Sequence, residues 1–236
     1  MISDVYNCDC LEYMRGLPDK AFELAIADPP YGINAPKFRM GAGFSGGHYT
    51  HSKRLNGGGG KLKNRVLNQS DCEWDTKPPT EDFFVELMRV CHNVIIWGGN
   101  YFPLPPSRCI VCWDKLQPWE NFSQIELAWT SFDMPAKLYR QINGGATSER
   151  KIHPTQKPVE LYAYLLRTFG NEGDRIFDPM MGSQSCRIAA YKMGFDFVGC
   201  ELDREYFEKG CERFERECKG IVRGEDGKVW RQASLF

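Results

Sequence analysis

The feature that most constrains this chain is the apolar run Phe22-Glu-Leu-Ala-Ile-Ala27, stopped at once by Asp28-Pro29-Pro30-Tyr31 and Gly32. A run of that length reads as a buried strand, and proline ends it because it has no N–H to give a sheet ladder. The tetrapeptide is therefore expected at a strand's C-terminal end. In open α/β sheets ligands bind along that edge, so a carboxylate, a stiff backbone and an aromatic face would meet in one cleft.

Those parts suit methylation of an exocyclic amine on a nucleobase. The amine lone pair is delocalised into the ring, so its protons must be accepted before the nitrogen can attack an electrophile. The Asp28 carboxylate and the Pro29 carbonyl can both accept N–H bonds, and Pro30 stiffens the turn that presents them. Tyr31 would stack on a base taken out of its helix, since a target inside a duplex cannot be reached. The plain alternative is an acidic Pro-Pro turn with a packed tyrosine.

A chain of 236 residues fits one large α/β domain spanning 1–236. Lys plus Arg is 30 against 31 for Asp plus Glu, so only local clustering can argue for nucleic acid. The N-terminus lacks a basic segment followed by an apolar one, and no apolar stretch is long enough to span a bilayer, which leads to the expectation of a cytoplasmic protein with no membrane partner. Ten cysteines raise the question of metal, but they do not fall into two pairs at zinc spacing. Reduced, structural thiols and no metal site are expected.

In chain order, Val5 to Asp9 reads as a strand ending in an acid, and Leu11 to Leu17 as a short helix. From Asn34 to Ser70 there is no acidic residue, while seven Lys or Arg and eight glycines occur. This reads as a long basic loop, and its place after the tetrapeptide favours a phosphate-gripping flap over a solvated insertion, with Lys53, Arg54, Lys61, Lys63 and Arg65 as DNA-binding candidates. Thr80 is placed to cap a helix through about Cys91. Asn93 to Trp97, Cys109 to Trp113 and Gln124 to Thr130 read as strands, which makes Trp97, Trp113 and Trp129 core residues rather than stacking platforms. Lys137, Arg140, Arg150 and Lys151 flank a glycine-bearing connection at about 131–152, a second candidate DNA surface.

A helix is expected from near Val159. Asp174 to Phe177 then reads as a strand, Asp178-Pro-Met-Met-Gly182-Ser183 as its turn, Gln184 to Met193 as a helix, and Phe195 to Cys200 as the next strand. That is a βαβ unit with Glu201 placed 23 residues after Asp178, the spacing at which a ribose hydroxyl pair is gripped. Its turn has one glycine where a dinucleotide fingerprint has three. Pyrophosphate needs close backbone approach and a nucleoside without phosphates does not, so the unit fits an adenosyl cofactor better than a dinucleotide.

Together these residues resemble the amino-group DNA methyltransferases that use S-adenosylmethionine. Asp28-Pro-Pro-Tyr31 matches their catalytic motif, Phe177-Asp-Pro-Met-Met-Gly182 their cofactor loop, and His153-Pro-Thr-Gln-Lys-Pro158 the segment before that loop. The catalytic motif comes first and the cofactor loop last, the permuted order of the beta subclass. Asn121 to Thr130 looks like the phage-borne and solitary members. The resemblance implies a Rossmann-like, doubly wound, mostly parallel sheet and a direct transfer of the methyl group. It assigns the amine and base to Asp28, Pro29, Pro30 and Tyr31. It assigns the cofactor to Phe177, Asp178, Gly182, Ser183 and Glu201, with Glu201 on the ribose, Asp9 at the adenine and Lys157 near the methionine end.

Asp in the first motif position is similar to adenine-N6 enzymes; cytosine-N4 enzymes and a catalytically silent DNA-binding relative are the alternatives. The absence of a Pro-Cys pair argues against ring-carbon chemistry. The family usually has glycine where Gln184 stands, so a tighter or weaker cofactor loop is expected. The 131–152 connection is short for a recognition domain, which leaves specificity low, or shared with the basic loop or a second subunit in a homodimer. The last five residues, Gln232-Ala-Ser-Leu235-Phe236, resemble the short peptide that docks on bacterial sliding clamps; the alternative is packing on the protein's own surface.

Overall fold

The computed structural model describes residues 1–33, 75–117, 123–142, 151–224 and 229–231. The basic candidates Lys53, Arg54, Lys61, Lys63 and Arg65, residues 143–150 of the second connection, and the C-terminal Gln232, Leu235 and Phe236 lie outside the described residues.

Eight strands form one sheet: β1 (Ser3–Asn7), β2 (Phe22–Ala27), β3 (Cys91–Trp97), β4 (Ile110–Asp114), β5 (Ile125–Thr130), β6 (Lys137–Arg140), β7 (Arg175–Asp178) and β8 (Asp196–Glu201). Their spatial order is β1-β8-β7-β2-β3-β5-β4-β6. All neighbours pair parallel except at β5, which runs antiparallel to both β3 and β4. The helices are α1 (Cys10–Arg15), α2 (Glu81–Val90), α3 (Val159–Phe169), α4 (Ser185–Met193) and α5 (Arg204–Lys219). A small hairpin, β9 (Ile221–Arg223) with β10 (Val229–Arg231), follows α5.

The apolar run of β2 is unbroken because both sides of the central sheet are covered. Leu24, Ile26, Ile95 and Trp97 face the layer that holds Leu161, Leu165, Ile188 and Phe214 of α3, α4 and α5. Ala25, Ala27, Val94 and Ile96 face Met14, Phe83 and Leu87 of α1 and α2. Burying each large aliphatic side chain contributes about 1.5–3 kcal/mol. Trp97 and Trp113 are fully buried and pack edge to face, and Trp129 is buried with its Nε1 donating to the Pro105 carbonyl at 2.7 Å, so the expectation of core tryptophans holds.

β6 departs from expectation, since the basic-flanked 131–152 connection contains an edge strand. Lys137 and Arg140 at its ends are the charges that keep an edge from pairing with another chain. Thr80 stands at the N-cap of α2 without a side-chain cap bond, and α2 passes into β3 with no loop between them.

Chain direction from β7 through α4 to β8 runs outward toward β1, while β2 through α2 to β3 runs the other way. The loops after β7 and β2 therefore diverge at a switch point, where ligands bind in such sheets. Ala25 pairs with Phe177, which brings Asp178 level with Ile26, two residues short of Asp28.

Candidate active site

Asp28 stands one residue past β2, on a turn that Pro29 and Pro30 hold out of the ladder. Gly32 donates its N–H to the buried Asp75 at 2.9 Å, which ties this turn to the residues before α2. The Asp28 carboxylate does not stand alone. Lys157 Nζ lies 2.5 Å from its Oδ1 and 2.9 Å from Oε1 of Glu126, the second residue of β5. Lys115, just past β4, holds the other Glu126 oxygen at 2.8 Å. Two ammoniums and two carboxylates thus form a neutral, mostly buried chain, which is the condition for keeping charges inside a protein.

Tyr31 joins this chain through its hydroxyl, 2.6 Å from Glu126 Oε1 and 2.9 Å from Asp28 Oδ1, and accepts from Lys157 at 3.3 Å. A phenol has one proton to give, and the shorter contact marks Glu126 as its acceptor. Both the lysine and tyrosine contacts to Asp28 fall on Oδ1. The Tyr31 ring stacks on Tyr101 at 4.9 Å between centroids and 13° between planes, with Phe102 edge-on at 6.1 Å. Gly98, at φ +69°, lets the ring lie against the backbone after β3: a Cβ there would fall 2.3 Å from Tyr31 Cε1.

The charges are tuned by this packing. Burial works against the ammonium of Lys157, but Asp28 and Glu126 outweigh it and raise its pKa above the usual lysine value. Burial also pushes the Asp28 carboxyl above its ordinary range against the pull of Lys157, with the neighbouring Glu126 charge adding to the rise. Glu126 goes the other way: burial would raise it, yet Lys157 and Lys115 bring it down to about 2.

Lys157 reaches this place because the segment before α3 folds on itself. Gln156 Oε1 accepts from the Ile152 N–H at 3.0 Å and the Gln156 N–H returns to the His153 carbonyl at 3.2 Å. The His153 ring packs edge-on to Tyr206 of α5, and its Nδ1 sits 3.1 Å from Thr155 Oγ1. Burial, with the Lys157 charge adding, pushes the His153 pKa down to about 3.

The loop after β7 builds the other half of the cleft. Asp178 is 2 % exposed, its Oδ1 accepts from the Met180 N–H at 3.1 Å, and burial raises its pKa well above the carboxylate range. Glu201, at the end of β8, accepts from the Gly182 N–H at 2.7 Å and from the Asp203 N–H at 2.9 Å, with burial raising its pKa against those bonds. The resemblance's acids are therefore brought to one sheet edge, as expected of a βαβ unit.

Other expected cofactor residues take different places. Phe177 is fully buried and stacks on Phe22 at 4.6 Å, because a β7 residue one short of the strand end still faces the core. Ser183 turns its hydroxyl to Ser185 at 3.1 Å and its carbonyl to Arg213 at 2.9 Å. Asp9 caps α1, its Oδ1 accepting from Leu11 and Glu12 N–H groups at 2.8 and 3.0 Å. Lys157, which the resemblance puts near the methionine end of a cofactor, stands at the Asp28 carboxylate.

Gln184 does not crowd the loop. It takes the left-handed conformation at φ +59° and sends its side chain away from the cleft, Nε2 donating to the Phe207 carbonyl at 3.3 Å and Oε1 accepting from Arg187 at 2.9 Å. Gly210 of α5 makes the space, since a Cβ there would lie 2.7 Å from Gln184 Cγ. Arg213 of α5, fully buried, ties the start of α4 through Ser183 and Ser185. Glu126, Lys115, Tyr101 and Arg213 are the site residues that sequence reasoning did not single out.

The fold is that of class I methyltransferases. A solved M1.HpyAVI–SAM complex superposes with a TM-score of 0.52 over 90 % of this chain and 98 % of that one, at 17 % identity. The cytosine-N4-specific PvuII DNA methyltransferase superposes at 0.54 over 93 % and 94 %, at 14 % identity. Residues 113–212 match the family described as DNA methylase, the N6/N4 methyltransferases, and the resemblance to amino-group DNA methyltransferases is borne out. The Type II methyltransferase M2.DpnII of Streptococcus pneumoniae is 37 % identical over 153 residues, covering 65 % of this chain and 52 % of the relative. M.HpaI of Haemophilus parainfluenzae, also a Type II methyltransferase, is 32 % identical over 104 residues, covering 37 % and 33 %. The chain thus spans about half the length, or less, of these curated relatives.

Proposed function

We propose that the chain methylates the exocyclic amine of a base in double-stranded DNA, using S-adenosylmethionine, with adenine N6 as the acceptor. The observation that carries this reading is the Asp28 carboxylate, held by Lys157 and Tyr31 at the end of β2, the strand that pairs with β7 and its acid-bearing loop. The donor set fits that cofactor. Carboxylates at the ends of β7 and β8 would repel a pyrophosphate but accept from hydroxyl and ammonium groups. When bound, the cofactor supplies a sulfonium methyl as the electrophile.

This chain's residues do the rest. Glu201 and Asp178 orient the nucleoside and amino groups at the loop after β7. Tyr31 offers its ring to the base, and its hydroxyl, fixed on Glu126, sets the plane in which the base lies. Asp28 Oδ2 and the Pro29 carbonyl accept the two amine N–H bonds, which localises the lone pair toward the methyl, and Asp28 takes the surplus proton once the nitrogen is alkylated. Holding both reactants in line supplies much of the rate, and no covalent enzyme intermediate is needed.

Cytosine N4 is the second reading, the specificity printed for the PvuII enzyme whose fold this chain shares. The test is methyl transfer from tritiated S-adenosylmethionine to unmethylated DNA, followed by digestion to nucleosides and mass spectrometry. N6-methyladenine is the expected product, and N4-methylcytosine would replace the first reading by the second. Asp28→Ala should abolish transfer while keeping cofactor affinity, whereas Glu201→Ala should weaken cofactor binding first. Near-normal turnover by Asp28→Ala would show that the amine is held elsewhere.

A further inference from the structure

Tyr101 covers the ring of Tyr31 on which a base would stack, and we propose that Tyr101 is a placeholder for the target base, stacked in its position in the free protein and displaced when the base enters. The inference rests on the reading of Tyr31 as the base-stacking residue. At 4.9 Å between centroids and 13° between planes, the two tyrosines leave no room for a third ring between them. One of them must move.

Tyr31 is the fixed partner. Its hydroxyl is held by Asp28, Glu126 and Lys157, Gly98 lies against its ring, and Phe102 meets it edge-on. Tyr101 is the free one. It is 46 % exposed and ends a short 3-10 turn (Gly99–Tyr101) whose backbone is tied by the Tyr101 N–H to the Gly98 carbonyl at 2.8 Å. Rotating this exposed side chain about its own bonds leaves that backbone bond intact, a motion of picoseconds to nanoseconds.

The exchange is ring for ring, so the apolar face of Tyr31 is not left wet while the site waits. The consequence is measurable, because the base binds against the Tyr31–Tyr101 stack it displaces. Removing the Tyr101 ring should therefore tighten base binding, the opposite of what a second wall of the base cleft would do.

The probe is 2-aminopurine riboside, whose fluorescence is quenched on stacking, titrated into the full-length wild type, Tyr101→Ala and Tyr101→Phe. Tyr101→Ala should bind about two- to tenfold tighter than wild type, the range of an aromatic pair, while Tyr101→Phe keeps the ring and the wild-type affinity. Equal, weaker or undetectable binding by Tyr101→Ala overturns the proposal, as does tighter binding by Tyr101→Phe. Tritiated methyl transfer by the wild type runs in parallel: transfer without the affinity gain sinks the placeholder alone, and no transfer sinks the reading beneath it.

Discussion

Lys157 shows how much a single side chain decides in this site. Among the described residues it is the one ammonium shared by Asp28 and Glu126, so its removal leaves two mostly buried carboxylates side by side. In Lys157→Met the stem volume is kept and the charge lost, and the Asp28 pKa rises because burial and the Glu126 charge then act unopposed by Lys157. The acid limb of kcat/KM against pH should move to higher pH. Glu126→Gln should move it lower, since the Glu126 charge is one of the causes that raise Asp28. Matching profiles for the two variants would show that Asp28 does not set the limb. His153 gives a stability prediction with a definite sign. Its folded pKa of about 3 lies below the unfolded 6.5, so its contribution is complete above about pH 6.5 and is lost as pH falls toward 3, because the unfolded chain binds the proton first. Between pH 7 and 5 that is roughly 2 kcal/mol for a His titrating near 6.5 in the unfolded chain and staying neutral when folded. Urea unfolding should show this loss in the wild type and not in His153→Phe; equal losses would mean that another group is titrating. Asp28 and Tyr31 were legible in the sequence as neighbours because a short motif names them, whereas Lys157, singled out for the methionine end of a cofactor, pairs with Asp28 and Glu126. Glu126 was not, since an acid inside the strand Gln124 to Thr130 carries no local sign of partners that come from β2 and the segment before α3.

At the scale of elements, the parallel core strands and their helices were legible because each is an apolar run or a helical stripe that the two-sided packing explains. β6 was not, since its four residues have a burial pattern too short to register as alternation. The start of α4 was half legible: Gln184 stood out as a departure, but its consequence lay on α5. Gln184 and Gly210 fit as a pair, side chain into notch. Gly210→Ala sets two effects against each other. Helix propensity favours alanine by about 1 kcal/mol, and forcing a methyl to within 2.7 Å of Gln184 Cγ disfavours it by about 1–3 kcal/mol. We expect net destabilisation of roughly 1 kcal/mol in the wild type. With Gln184→Gly the notch is empty, and Gly210→Ala should then stabilise by up to about 1 kcal/mol. A double-mutant cycle by urea denaturation measures the coupling, and additive effects would mean that the two residues do not share that space.

At the scale of the whole molecule, the proposed DNA substrate raises the question of what would hold a polyanion against a chain with net charge −1. The candidate-site edge of the sheet is a poor candidate, because Asp9, Asp28, Asp178 and Glu201 all stand at or just past the ends of its parallel strands. Those acids suit a nucleoside and an amine and repel phosphates. A compensating positive surface must come from elsewhere, and the acid-free stretch from Asn34 to Ser70 is the one place where the sequence concentrates Lys and Arg without acids. Tyr31 and Gly32 precede it in the chain and Asp75 follows it, and the Gly32 N–H is bonded to Asp75 at 2.9 Å. Each phosphate neutralised releases counterions and adds about 0.9 to the slope of log affinity against log salt. Replacing Lys53, Arg54, Lys61, Lys63 and Arg65 by glutamine should therefore flatten that slope by up to about 4.5, with affinity lost most at low salt, where counterion release counts for most. Fluorescence anisotropy on a labelled unmethylated duplex across a salt series reads this directly. A slope equal to that of the wild type would leave the five side chains out of phosphate contact and move the grip to Lys137, Arg140 and Lys151, whose replacement is the next arm of the same titration.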